Sequence, residues 1–182
     1  TDKKERIRGV IAQIIHTMKN CFLLVERAGS GKTNLLCHLA REYSKVRPVV
    51  FVSGRLHLED EFGIERYIQQ SLDYETSHSP QQALRDIDAL IAEYNDCELR
   101  NRPCADEHSH EMIVFIDGIN ENVDSNLIRR AVKRVLSQYE DRHFVFCISC
   151  RDTFWSFFDE PFWDNHVFDK VTGEMYNFAQ EE

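Results

Sequence analysis

Cys21-Phe-Leu-Leu-Val-Glu-Arg-Ala-Gly-Ser-Gly-Lys-Thr33 passes from an apolar run through a glycine turn into a helical pattern. Cys21 to Val25 is continuous and apolar over strand length, which suits a strand buried on both faces. Ala28 to Gly31 reads as a turn, and Lys32 to about Lys45 as a helix. Glycines let the chain turn tightly and aim successive N–H groups inward, making an anion nest capped by the helix N-terminus. Strand, motif and helix together give the context of a phosphate-binding loop. Ala28, Gly29, Ser30, Gly31, Lys32, Thr33 and Asn34 are therefore the candidate nucleotide-binding residues. Lys32 would reach the β- and γ-phosphates of ATP or ADP, and Thr33 would offer its hydroxyl to Mg2+. The general pattern GxxxxGK[ST] begins with Gly, and Glu26 stands at that position. We expect either that its carboxylate points away from the phosphates or that the backbone differs there.

Elements alternate on both sides of this stretch. Lys4 to Lys19 carries Ile7, Val10, Ile11, Ile14, Ile15 and Met18 at helical spacing. Pro48 to Val52 reads as a second strand ending at Ser53-Gly54. Helical stretches follow around Leu58 to Tyr74 and Pro80 to Tyr94, then a polar loop from Asn95 to Glu111. Met112 to Ile116 is a third strand, Asp124 to Gln138 a helix and His143 to Ser149 a fourth strand. An aromatic-rich helix and a fifth strand, Val167 to Val171, complete the pattern. Such alternation predicts an α/β sandwich around a mostly parallel sheet.

The chain has 182 residues, a length that fits one domain. With 22 basic and 31 acidic side chains its formal net charge is −9, which argues against broad binding to nucleic acid or anionic membrane. No apolar run reaches bilayer length and no leader pattern is present, so we expect a cytoplasmic protein. The chain begins at Thr1, and we expect a fragment of a larger multidomain protein: residues 1–182 as one nucleotide-binding domain, with 1–19 a leading helix and 20–182 the core.

Two further strand ends carry chemistry. Met112-Ile-Val-Phe-Ile-Asp117 ends an apolar strand in a carboxylate that can hold Mg2+ through water. Glu121 follows and could orient an attacking water as general base. Phe144-Val-Phe-Cys-Ile-Ser-Cys-Arg151 ends in a guanidinium suited to a γ-phosphate. The candidate catalytic set is Lys32, Asp117, Glu121 and Arg151, and the candidate metal set is Thr33 with Asp117. No Asn-Lys-x-Asp guanine-reading motif occurs, which favours ATP over GTP.

The motifs ERAGSGKT, FIDGINE and ISCR, in this order, resemble GxAGSGKT, hhhDGxDE and TSR of the STAND class of P-loop NTPases, close to the NACHT group. Val49-Val-Phe-Val-Ser-Gly54 is similar to that group's second strand, and Tyr176 to Glu182 to its boundary with a helical domain. The resemblance implies a three-layer P-loop sandwich with a five-stranded sheet of 5-1-4-3-2 type order. It also implies a regulatory activity, in which ADP holds a closed monomer and ATP exchange permits self-association and signalling, as in bacterial antiviral proteins. By the same resemblance Gly31, Lys32 and Thr33 bind phosphate and Mg2+, Asp117 coordinates Mg2+, and Arg151 senses the γ-phosphate. Asn120 stands where the second acidic residue of DGxDE would be and Glu121 can replace it, so the expected activity is a slow ATPase. Expected partners are nucleotide and further copies of the chain. A membrane is not expected, and nucleic acid is disfavoured for this domain.

Other features have plainer readings. Cys21, Cys37, Cys147 and Cys150 lie in or beside apolar runs and are expected to be reduced packing residues. Cys97, Cys104, His108 and His110 lack the paired spacing of a zinc site. Arg129, Arg130, Lys133 and Arg134 read as a solvated helix face, with contact in an oligomer or to an acidic partner the alternative. Six aromatics between Phe154 and Trp163 combine core packing with an interface. Three rival functions stay open: a small-molecule kinase, which the Arg-poor stretch before Asp117 disfavours; a scaffold without turnover; and a DNA-loading AAA+ ATPase, which the acidic charge disfavours.

Overall fold

The computed structural model describes residues 20–73, 79–101, 111–140, 143–158 and 161–172, and of residues 97–101, 157–158, 164–165 and 168–172 the backbone alone. The expected leading helix, the side chains of Cys97, Cys104, His108 and His110, and the Tyr176 to Glu182 boundary lie outside the described residues. The strands are β1 (Cys21–Glu26), β2 (Val49–Ser53), β3 (Met112–Asp117), β4 (Phe144–Arg151) and β5 (Val167–Thr172). The helices are α1 (Lys32–Tyr43), α2 (Gly63–Ser71), α3 (Pro80–Asn101), α4 (Ser125–Gln138), α5 (Asp152–Phe158) and α6 (Pro161–His166), with a 3-10 turn at Ile119–Glu121.

The strands lie in the order β2-β3-β4-β1-β5, every pair parallel. β5 joins the edge of β1 through a register shift between Cys21 and Phe22. Burial explains the composition. β1 and the first seven residues of β4 are buried throughout, whereas the edge strand β2 alternates. Phe22, Leu24, Ile113, Phe115, Val145 and Cys147 meet Leu35, Leu36 and Leu39 of α1 on one face. Leu23, Val25, Val52, Val114, Ile116 and Ile148 meet α2, α3 and α4 on the other. Helices on both faces of the sheet make three layers.

Several boundaries shift from the sequence reading. β1 runs one residue further, to Glu26, and β4 two further, to Arg151, because the two pair in register there. α3 extends to Asn101 across what reads as a polar loop. Its added residues hold no Gly or Pro, and polarity without a breaker does not end a helix. α4 begins one residue later, capped by Asp124, whose carboxylate accepts from the Leu127 N–H at 2.8 Å.

The expected solvated stripe on α4 is corrected at Arg134. Its guanidinium turns inward, 3.1 Å from Glu65 Oε1 and stacked 3.9 Å above the Phe62 ring. Lys133 lies 5.2 Å over the Phe162 ring. The stripe is divided because α4 packs on α2 through this side. Trp155 and Trp163 are buried edge to face at 5.3 Å, so core packing accounts for both, while Phe154 remains 45% exposed. Cys21, Cys147 and Cys150 are buried free thiols, but Cys37 is exposed on α1. Burial pushes the Cys150 thiol up to about 12, and a thiol so hard to ionise is inert.

Glu65 is fully buried on α2, and burial pushes its carboxyl up to about 7, against the opposing pull of Arg134. A raised carboxyl stabilises the folded chain below its unfolded value and loses that contribution as pH rises through about 7. Glu65→Gln removes this titration. Urea melts should show the variant gaining about 2.5 kcal/mol relative to the original chain between pH 5 and pH 8. A difference that stays flat over that range would exclude an elevated Glu65.

Candidate functional site

The loops that follow β1, β3 and β4 all emerge at the carboxyl edge of the sheet, where open α/β sheets place their ligands. After β1 the chain turns through Gly29 and Gly31, at φ 75° and 81°. Both lie in the left-handed region that only glycine enters at low cost. Gly31 caps α1, whose first N–H groups have no partner within the helix. Ala28 and Gly29 are exposed, as are Thr33 and Asn34, while Ser30 and Gly31 are half-buried. A Cβ on Gly29 would meet no protein atom within 4 Å, so its left-handed backbone rather than crowding calls for glycine.

Lys32 is 9% exposed. Its ammonium donates to the Glu26 carbonyl at 2.9 Å, the Arg27 carbonyl at 2.6 Å and Ser30 Oγ at 3.3 Å. Burial lowers its pKa, with the Glu26 carboxylate opposing most strongly and Arg151 adding to the lowering. Glu26 closes β1 and is 2% exposed, so it lies inside the end of the sheet rather than in the open turn. There it favours the charged form of Lys32.

Asp117 ends β3 with both carboxylate oxygens engaged. Thr33 Oγ1 donates to Oδ2 at 2.7 Å, and Ser149 Oγ donates to Oδ1 at 2.6 Å. The sequence-predicted metal pair thus meets across 84 residues of chain. A hydroxyl beside a carboxylate is a set of hard oxygen donors, which fits Mg2+ completed by phosphate oxygens and water. Among the described residues no group of three or more His, Cys, Asp or Glu could hold a metal alone.

Glu121 sits on the 3-10 turn after Gly118. Arg55 Nε donates to its Oε2 at 2.7 Å and Arg151 Nη2 to its Oε1 at 3.1 Å. The Arg55 hydrogen bond foremost, with Arg151, holds its carboxyl below the usual carboxylate range. Arg151 is also tied by its backbone N–H to Asn120 Oδ1 at 2.8 Å. All four candidate catalytic residues therefore stand at one edge of the sheet.

Three residues here escape a reading of the sequence. Ser149 lies inside a strand, and its hydroxyl looks like ordinary filler until Asp117 is placed beside it. Arg55 follows β2 with no motif around it. Gly54 carries a visible signal, a glycine just after a strand, and its N–H donates to the Asp117 carbonyl at 2.6 Å.

No protein-family model and no curated protein sequence matches the chain. Solved structures do. The chain is similar to Cdc6p from Pyrobaculum aerophilum at 15% identity and TM-score 0.58, covering 93% of this chain and 44% of that one. It is similar to the Aeropyrum pernix Orc1 protein in complex with DNA at 15% identity and TM-score 0.61, over 97% of this chain and 45% of that one. A chain of Drosophila ORC bound to DNA matches at 12% identity and TM-score 0.54, covering 97% and 95%. The chain shares its fold with these structures. The chain spans less than half the length of the Pyrobaculum and Aeropyrum proteins. Two of these three structures hold DNA, and the expectation that nucleic acid is unlikely for this domain finds no support in the comparison. Among the described residues no helix is long and apolar enough to cross a membrane.

Proposed function

We propose that this chain is the nucleotide-binding core of a regulatory ATPase, a module that binds ATP or ADP with Mg2+ and reports which one is present. The observation that carries this reading is the meeting of Thr33 and Asp117 at 2.7 Å beside the Gly29–Gly31 turn. In this reading the N–H groups of Ala28 to Asn34 receive the phosphates. Lys32 gives up its contacts with loop carbonyls for charge-assisted ones to the β- and γ-phosphates. Thr33 and Asp117 hold Mg2+, whose contribution is to neutralise phosphate charge. Glu121 is held by two arginines, and a base role for it requires one of them to leave. This supports slow turnover and a switch rather than rapid hydrolysis.

Arg151 is the candidate reporter, since exchanging Glu121 for a γ-phosphate would change the β4 exit and the 3-10 turn together. Arg151→Ala should keep ADP affinity within about twofold while reducing the preference for ATP by about tenfold, the worth of one charge-assisted bond. Calorimetric titration with each nucleotide checks this. Equal losses for both would remove the reporter role. We propose further that self-association of a longer protein, by analogy with STAND proteins, is what the switch controls.

A DNA-loading ATPase is the second reading, favoured by the DNA complexes among the similar structures. Retention on DNA that weakens with salt would separate it from the first.

A further inference from the structure

Ser149 is 0% exposed near the end of β4, one of few buried polar side chains in the sheet. A serine hydroxyl has a single proton to give and lone pairs to accept with. The Gly118 N–H donates to Ser149 Oγ at 2.8 Å, which turns the hydroxyl proton toward Asp117 Oδ1 at 2.6 Å. The other oxygen, Oδ2, then accepts from Thr33 at 2.7 Å. Because Thr33's proton is spent on Asp117, its lone pairs face away from the carboxylate.

We infer that Ser149 is a positioning residue for the cation site, acting through Asp117 on Thr33. This rests on the nucleotide-binding reading above. Three segments, β4, β3 and the first turn of α1, are joined by the line Ser149–Asp117–Thr33. Ser149 also fixes the Gly118 amide, and Gly118, at φ 71°, starts the turn that carries Glu121. Without the hydroxyl, Asp117 Oδ1 loses its Ser149 donor, leaving the carboxylate held through Oδ2 by Thr33, and the Gly118 N–H loses its acceptor. Partners that orient metal ligands in this way typically contribute ten- to hundredfold in metal affinity.

The test is Mn2+ binding to the ADP-loaded protein, followed by electron paramagnetic resonance, with ADP affinity also measured in EDTA. Ser149→Ala should weaken Mn2+ about ten- to hundredfold while metal-free ADP affinity stays within about twofold. Ser149→Cys keeps the volume with a weak donor and should fall between the two, and it decides the matter if the alanine variant does not fold. Unchanged Mn2+ affinity, or an equal loss of metal-free ADP affinity, overturns the role of Ser149 and leaves nucleotide binding standing. An original chain that binds no ADP overturns both.

Discussion

Lys32→Ala is expected to reduce ATP and ADP affinity by a hundredfold or more, the worth of about two charge-assisted hydrogen bonds to phosphate. The ammonium is poised at the mouth of the loop, where the Glu26 and Arg27 carbonyls hold it at 2.9 and 2.6 Å. Those contacts are local, all within six residues, so they set the loop's shape more than the chain's stability. The melting temperature should accordingly move by only a few degrees while binding is lost. Calorimetry with either nucleotide checks the first part and a thermal melt the second. Affinity unchanged from the original chain would refute the phosphate-loop assignment.

The largest stability effect is expected at Gly54. The strands β2 and β3 leave the sheet side by side, and their exits touch backbone to backbone. The Gly54 N–H donates to the Asp117 carbonyl, while Asn122 Nδ2 donates to the Gly54 carbonyl at 2.8 Å. A Cβ at Gly54 would overlap the Gly118 carbonyl, and backbone cannot rotate aside as a flexible side chain would. Gly54→Ala should therefore destabilise the fold by about 3 kcal/mol, at the upper end of what overpacking costs. It should also weaken Mg2+-dependent nucleotide binding, since Asp117 and Gly118 must shift. Urea unfolding that matches the original chain would show that the two exits can part at no cost.

Much of the central sheet is legible in the sequence because parallel strands buried on both faces are written as unbroken apolar runs. Phe22-Leu-Leu-Val25 and Met112 to Ile116 need no partner to be recognised. The phosphate loop is equally local, with Gly29, Gly31, Lys32 and Thr33 within five residues of one another. What escapes is set by contacts between distant segments. Glu26 reads as a departure from a motif, yet pairing with Arg151 makes it the last residue of β1. Arg134 reads as part of a charged surface, and the packing of α4 on α2 turns it toward Glu65. Ser149 gains its role only when β4 lies beside β3. Arg55 meets Glu121 across 66 residues, and no spacing rule points there. The polar run after Tyr94 misleads for the opposite reason, since helix continuation depends on the absence of a breaker rather than on an apolar stripe.

ADP binding is the property from which every assignment at the Gly29–Thr33 loop follows. The purified chain, incubated with ADP and Mg2+ and freed of excess, is denatured, and the released nucleotide is identified by chromatography. ADP is expected at close to one molecule per chain, and a chain that releases none would contradict a nucleotide site here.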